Sequence, residues 1–107
     1  MKKGMIKVIV LYPSGDGKTF DMDYYINKHV PMAAGFLGDA MKGLTVEKGL
    51  AGIAPDLPVP YVAVANSYFD SIQAFQTAFA AVPAALMDDV SNYTNIEPIT
   101  LISEVMI

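Results

Sequence analysis

The chain offers proton chemistry at few places. Its single histidine, His29, stands in the stretch "NKHVPM" at 27–32, two residues before Pro31 and inside a run whose apolar positions recur with helical spacing. Imidazole gains and loses a proton near neutral pH. Burial among Tyr25, Ile26, Met32 and Phe36 favours the neutral ring, poised to take a proton from a carbon or phenol acid. The competing reading is a core histidine whose nitrogens are satisfied by a backbone carbonyl and a tyrosine. The sequence leaves both standing.

Tyrosine is the second resource. Tyr12 closes an apolar run, Tyr25 shares the face of His29, and Tyr93 lies in a polar stretch near the end. Phenols around an apolar hollow can hold a carbonyl or enolate oxygen and stack on a flat ring. Tyr12 is therefore the candidate partner of His29 in catalysis. Tyr25, Tyr68, Tyr93 and Phe36 are candidate ligand contacts, whereas Tyr61 fits ordinary sheet packing. Asn66 interrupts an apolar strand on the side of Val62, Val64 and Tyr68, and needs a partner: a ligand, a loop or a subunit contact. Met32 and Met87 are pliable side chains suited to an irregular apolar ligand, although methionine is also a common core filler.

Several chemistries are disfavoured. With one histidine and no cysteine the chain lacks the ligand set of zinc and has no thiolate site, so no metal is expected. The "GKT" at 17–19 matches the tail of a phosphate-binding loop, but Tyr12 occupies the position of its first glycine. No dinucleotide glycine fingerprint occurs, and no cofactor is expected.

The elements that must position these residues follow from periodicity and punctuation. Residues 5–12 read as a first strand ending at Pro13 and the turn-rich "SGDGKT". Asp21 is placed to cap a helix beginning at Met22. At 100° per residue, Met22, Tyr25, Ile26, His29, Met32, Ala33 and Phe36 share a face, and Pro31 should kink or restart the helix. Residues 44–48 and 61–69 read as strands, separated by a loop rich in Gly and Pro at 49–60. Asp70 or Ser71 caps a second helix carrying Ile72, Phe75, Phe79 and Val82. Pro83 opens a short helical turn through Met87, 88–98 reads as loop, and 99–106 is the last strand.

Strand, helix, strand, strand, helix, strand is the split βαβ order of a ferredoxin-like α+β domain with a four-stranded antiparallel sheet, one domain over 1–107. Its sheet is apolar on both faces. Ile6, Val8, Val10 and Tyr12 point one way, and Met5, Ile9 and Leu11 the other. Two helices cover one face. The simplest cover for the other is the same face of a second copy, forming a homodimer. At 53% hydrophobic residues the chain is greasier than an average soluble domain, as such an interface requires.

A net charge of −4 with seven basic residues leaves no phosphate-tracking stripe, so nucleic acid and anionic membrane surfaces are not expected partners. The start "MKKGMIKVIVLYP" reads as strand rather than leader, because Lys7 interrupts the apolar run. The lack of cysteine suits a reducing cytoplasm.

Motifs in register along the chain carry a family resemblance. Tyr12-Pro13, Phe20-Asp21, Tyr24-Tyr25, His29 and Pro31, then "GLAG" at 49–52, "PYVA" at 60–63 and "NYTNIEP" at 92–98 resemble EthD-like proteins. The resemblance implies a dimeric α+β barrel, in which two ferredoxin-like subunits pack sheet on sheet, and an association with oxidoreductase and degradation pathways. It also implies an apolar pocket between sheet and helices. Relatives at superfamily distance carry out cofactor-free oxygenation, isomerisation and cyclisation. Some bind haem through the second helix, where this chain has no histidine. The expected function is thus oxygenation or isomerisation of a small aromatic or lactone-like molecule in that pocket. The alternative is a ligand carrier or accessory protein without chemistry of its own.

Overall fold

The computed structural model describes residues 2–107. Four strands, β1 (Ile6–Pro13), β2 (Gly43–Lys48), β3 (Tyr61–Phe69) and β4 (Ile99–Glu104), form one antiparallel sheet in the order β2-β3-β1-β4. The central strands, β1 and β3, are the two longest. Between β1 and β2 run α1 (Met22–Tyr24), a π-helical turn (Tyr25–His29), α2 (Val30–Leu37) and a 3₁₀ turn (Gly38–Ala40). Between β3 and β4 run α3 (Ile72–Ala80), α4 (Ala85–Asp88) and a 3₁₀ turn (Asp89–Asn92). The fold is ferredoxin-like α+β, as the element order implies.

Local chemistry explains the boundaries. Asp21 Oδ1 accepts from the Tyr24 amide at 3.0 Å, and Ser71, rather than Asp70, caps α3 by accepting from the Ala74 amide at 3.0 Å. Pro31 has no N–H for the Asn27 carbonyl, and its ring crowds that oxygen. The chain responds with one wide turn, in which the Val30 amide reaches the Tyr25 carbonyl, and α2 begins with Pro31 in its first turn. Gly49 follows β2 where its backbone lies against β3. A methyl group there would overlap the Tyr61 carbonyl oxygen. Two expectations are corrected. The helical spacing through Val82 stops earlier, at Ala80, and 89–92 is a 3₁₀ turn continuing α4, not loop.

Register fixes what each sheet face carries. Val8 pairs with Ser67 and Ile102, Val10 with Ala65 and Thr100, and Tyr12 with Ala63, and these residues face the helices. Alternation turns Lys7, Ile9, Leu11, Val64, Asn66, Tyr68, Ile99 and Leu101 to the opposite face. Among the described residues no helix crosses that face. Ile99 and Leu101 there are 50% and 51% exposed. Among the described residues no helix is long and apolar enough to cross a membrane.

Candidate functional site

The site is built around the π turn. Positions i and i+4 of a helical turn lie on one side. Tyr25 and His29 are both buried, with rings stacked 15° apart and 5.6 Å between centroids, while Ile26 and Lys28 between them face out. Tyr93 lies 4.7 Å from the imidazole and 4.9 Å from the Tyr25 ring, so the three rings form a triangle. Tyr12 and Phe20 complete a cluster in which most rings meet edge to face. The histidine is thus held by aromatic walls.

A carboxylate holds it from behind. His29 Nδ1 lies 3.0 Å from Asp89 Oδ2, and both residues are 8% exposed. Asp89 Oδ1 accepts from the Tyr24 hydroxyl at 2.7 Å and from Asn92 Nδ2 at 2.9 Å. Those two donors, and then His29, hold the Asp89 carboxyl below the usual carboxylate range against the opposing effect of burial. An ionised carboxylate only accepts. The hydrogen therefore sits on Nδ1, and in the neutral ring the lone pair is on Nε2.

Beside the dyad, the Tyr12 and Tyr93 hydroxyls are 2.7 Å apart and buried. Burial, ahead of their mutual contacts, pushes the phenols of Tyr12, Tyr25 and Tyr93 up, so they remain neutral donors at physiological pH. One proton bridges the Tyr12–Tyr93 pair.

His29, Tyr12 and Tyr25 line one cavity of about 460 Å³ between the sheet and the helices. Its remaining wall is mostly aliphatic and aromatic: Val8 and Val10 on the sheet, Ala33 and Leu37 on α2, Phe75 and Phe79 on α3. Met87 lines it from α4 and is also partly exposed, as at a rim. Among the described residues no group of three or more metal-ligating side chains occurs.

The other candidate residues lie elsewhere. Tyr93 touches the site through Tyr12 and His29 without lining the cavity. Met32 and Phe36 do not line it, and Phe36 is 40% exposed. Their misplacement has one cause. The π turn adds a residue, so positions projected from a continuous α-helix advance by one, and Val30, Ala33, Ala34 and Leu37 meet the cavity instead. Asn66 and Tyr68 occupy the outer sheet face. Asn66 Nδ2 donates to Thr45 Oγ1 and Glu47 Oε1 at 3.0 Å each, and Lys7 Nζ stands 6.0 Å from the Tyr68 ring centroid. The partner that Asn66 needed is β2. The residue that sequence reasoning missed is Asp89. Its signal was present: Leu86, Asp89, Val90 and Tyr93 keep helical spacing through a stretch whose Asp, Ser and Asn composition reads as loop.

A four-stranded ferredoxin-like sheet, with helices on one face, an apolar cavity between them and His29 in its wall backed by Asp89, defines a ferredoxin-like α+β protein. The EthD domain matches residues 17–97, and the chain belongs to that family. It is 43% identical to an EthD-like protein from Ralstonia eutropha, with 99% of this chain and 96% of that one covered and a TM-score of 0.91. It also shares its fold with a hydroxynitrile lyase from Passiflora edulis, at 14% identity, TM-score 0.68 and coverage of 97% and 95%. A dimeric ferredoxin-like protein from Thermobifida fusca is 13% identical, with TM-score 0.60 and coverage of 98% and 94%. No curated protein matches the sequence significantly.

Proposed function

We propose that this EthD-family protein binds a small aromatic or lactone-like molecule in the cavity and moves a proton on it without a cofactor. His29 Nε2 is the general base, Asp89 fixes its tautomer and orientation, and the Tyr12 hydroxyl donates to the oxygen on which negative charge develops. The observation that carries this reading is the 3.0 Å contact of Nδ1 with an ionised Asp89 on a histidine that lines an apolar cavity. It leaves a basic nitrogen facing an apolar wall. That a protein of this fold is named a hydroxynitrile lyase shows the fold compatible with a lyase, and lends support only at that level.

The same reading includes a homodimer through the outer sheet face and a place in the cytoplasm. The exposed Ile99 and Leu101 beside Ile9 and Leu11 support the first, as does the dimeric fold relative. The lack of cysteine supports the second.

The test uses 5-nitrobenzisoxazole, a neutral bicyclic aromatic. Abstraction of its ring C–H proton breaks the N–O bond and yields a coloured nitrile phenolate with no other reactant. The protein is expected to accelerate this isomerisation above buffer, and His29→Ala to abolish the acceleration. Equal rates in the two proteins remove His29 as base. Binding of the probe without His29-dependent turnover makes the chain a carrier.

A further inference from the structure

We propose that the cavity selects an elongated, flat, uncharged ligand, an aromatic of two or three fused rings with one hydroxyl or carbonyl group at its His29 end, and rejects the corresponding carboxylates and phosphates. This rests on the proton-transfer reading of the same site and adds to it the class of substrate.

Charge is the first argument. Among the described residues lining the cavity there is no Lys, Arg, Asp or Glu. The nearest full charge is the Asp89 carboxylate behind His29, and the chain as a whole carries −4. An anion entering the cavity loses water, finds no cation, and approaches a fixed negative charge. A neutral hydroxyl or carbonyl meets Nε2 as acceptor or Tyr12 as donor and needs nothing more.

Shape is the second. Tyr12, Tyr25 and His29 form one end, whereas Val8, Leu44, Phe75 and Phe79, with the single hydroxyl of Ser67 beside Val8, form the other. The distance along β1 from Val8 to Tyr12 is roughly 13 Å at the usual strand rise. That exceeds one benzene ring. A volume of about 460 Å³ corresponds to roughly 15 waters at their share of the liquid, which suits a ligand of similar heavy-atom count. Ala33 and Ala34 on α2 and Ala65 on β3 line the space with small side chains and keep it open between helix and sheet. A slot between small residues admits a flat body better than a branched one.

The closing experiment compares 2-naphthol, 2-naphthoate and phenol by calorimetric titration at pH 7. The full-length protein is expected to bind 2-naphthol at least tenfold more tightly than 2-naphthoate or phenol. Thr100 lies on the exposed part of the lining, so Thr100→Lys brings an ammonium to the rim without disturbing the core. It is expected to raise the ratio of naphthoate to naphthol affinity at least threefold. Naphthoate binding as well as naphthol, phenol binding as well as naphthol, or no binding of naphthol each overturns the inference. The nitrobenzisoxazole reaction reads the base separately. Turnover that depends on His29, together with equal naphthol and naphthoate affinity, sinks the selection of uncharged ligands and leaves the base standing.

Discussion

Replacing Asp89 by Asn tests the dyad with almost no change of shape. Asp89 Oδ1 accepts from both Tyr24 and Asn92, so in the variant the amide oxygen must take that position. The amide nitrogen then falls where Oδ2 was, 3.0 Å from Nδ1, and donates to it. Nδ1 must become the acceptor and Nε2 must carry the hydrogen. The imidazole stays in place and loses its basic nitrogen on the cavity side. General base catalysis is worth about 10²–10⁴-fold, which at 1.36 kcal/mol per decade is about 2.7–5.4 kcal/mol of barrier. Asp89→Asn should therefore lower the rate of 5-nitrobenzisoxazole opening by at least 10²-fold, followed as phenolate absorbance, with probe affinity within about threefold of the parent. A variant that keeps the parent rate would refute the claim that Asp89 sets the tautomer. So would one whose loss of rate merely tracks a loss of folded protein by circular dichroism.

Four further outcomes follow from the same contacts. Tyr93→Phe removes the hydroxyl that pairs with buried Tyr12 and should cost about 1 kcal/mol in urea denaturation. Gly49→Ala forces a methyl against the Tyr61 carbonyl of a central strand, and about 1–3 kcal/mol of destabilisation is expected from overpacking that backbone cannot relieve. Asp89 is held below the ordinary carboxylate range, so the unfolded chain binds its proton first. Its contribution is present above the ordinary range and is lost as pH falls through the folded value; acid titration of stability should show a drop that Asp89→Asn shallows. Leu101→Glu puts a charge on the bare sheet face without touching the monomer core, and sedimentation should show a shift from dimer to monomer.

Much of the fold was legible in the sequence because its signals are local. Alternation in 61–69, the Asp21 and Ser71 caps, and the break at Pro31 each arise within a few residues. The two apolar faces of β1 were legible for the same reason. Which face meets the helices is a tertiary fact, and that is why Asn66 and Tyr68 were expected among the ligand contacts although they point away from the cavity. Met32 and Phe36 were displaced by a single inserted residue at the π turn, a change in winding that periodicity counted at 100° per residue does not carry. His29 stood out because it is the sole histidine. Asp89 was hidden because two adjacent aspartates followed by Val-Ser-Asn resemble a solvated turn, and only the long-range contact with His29, 60 residues away, gives it meaning. Turn chemistry was read where helical spacing ran beneath it.

The sole imidazole makes the central claim directly measurable by nitrogen-15 NMR of histidine-labelled protein. Addition of 2-naphthol should move the Nε2 resonance as the naphthol hydroxyl donates to it, while Nδ1 keeps the signature of a protonated nitrogen bound to Asp89. Two ring nitrogens that ignore the ligand, or an Nδ1 found without its hydrogen, would contradict it.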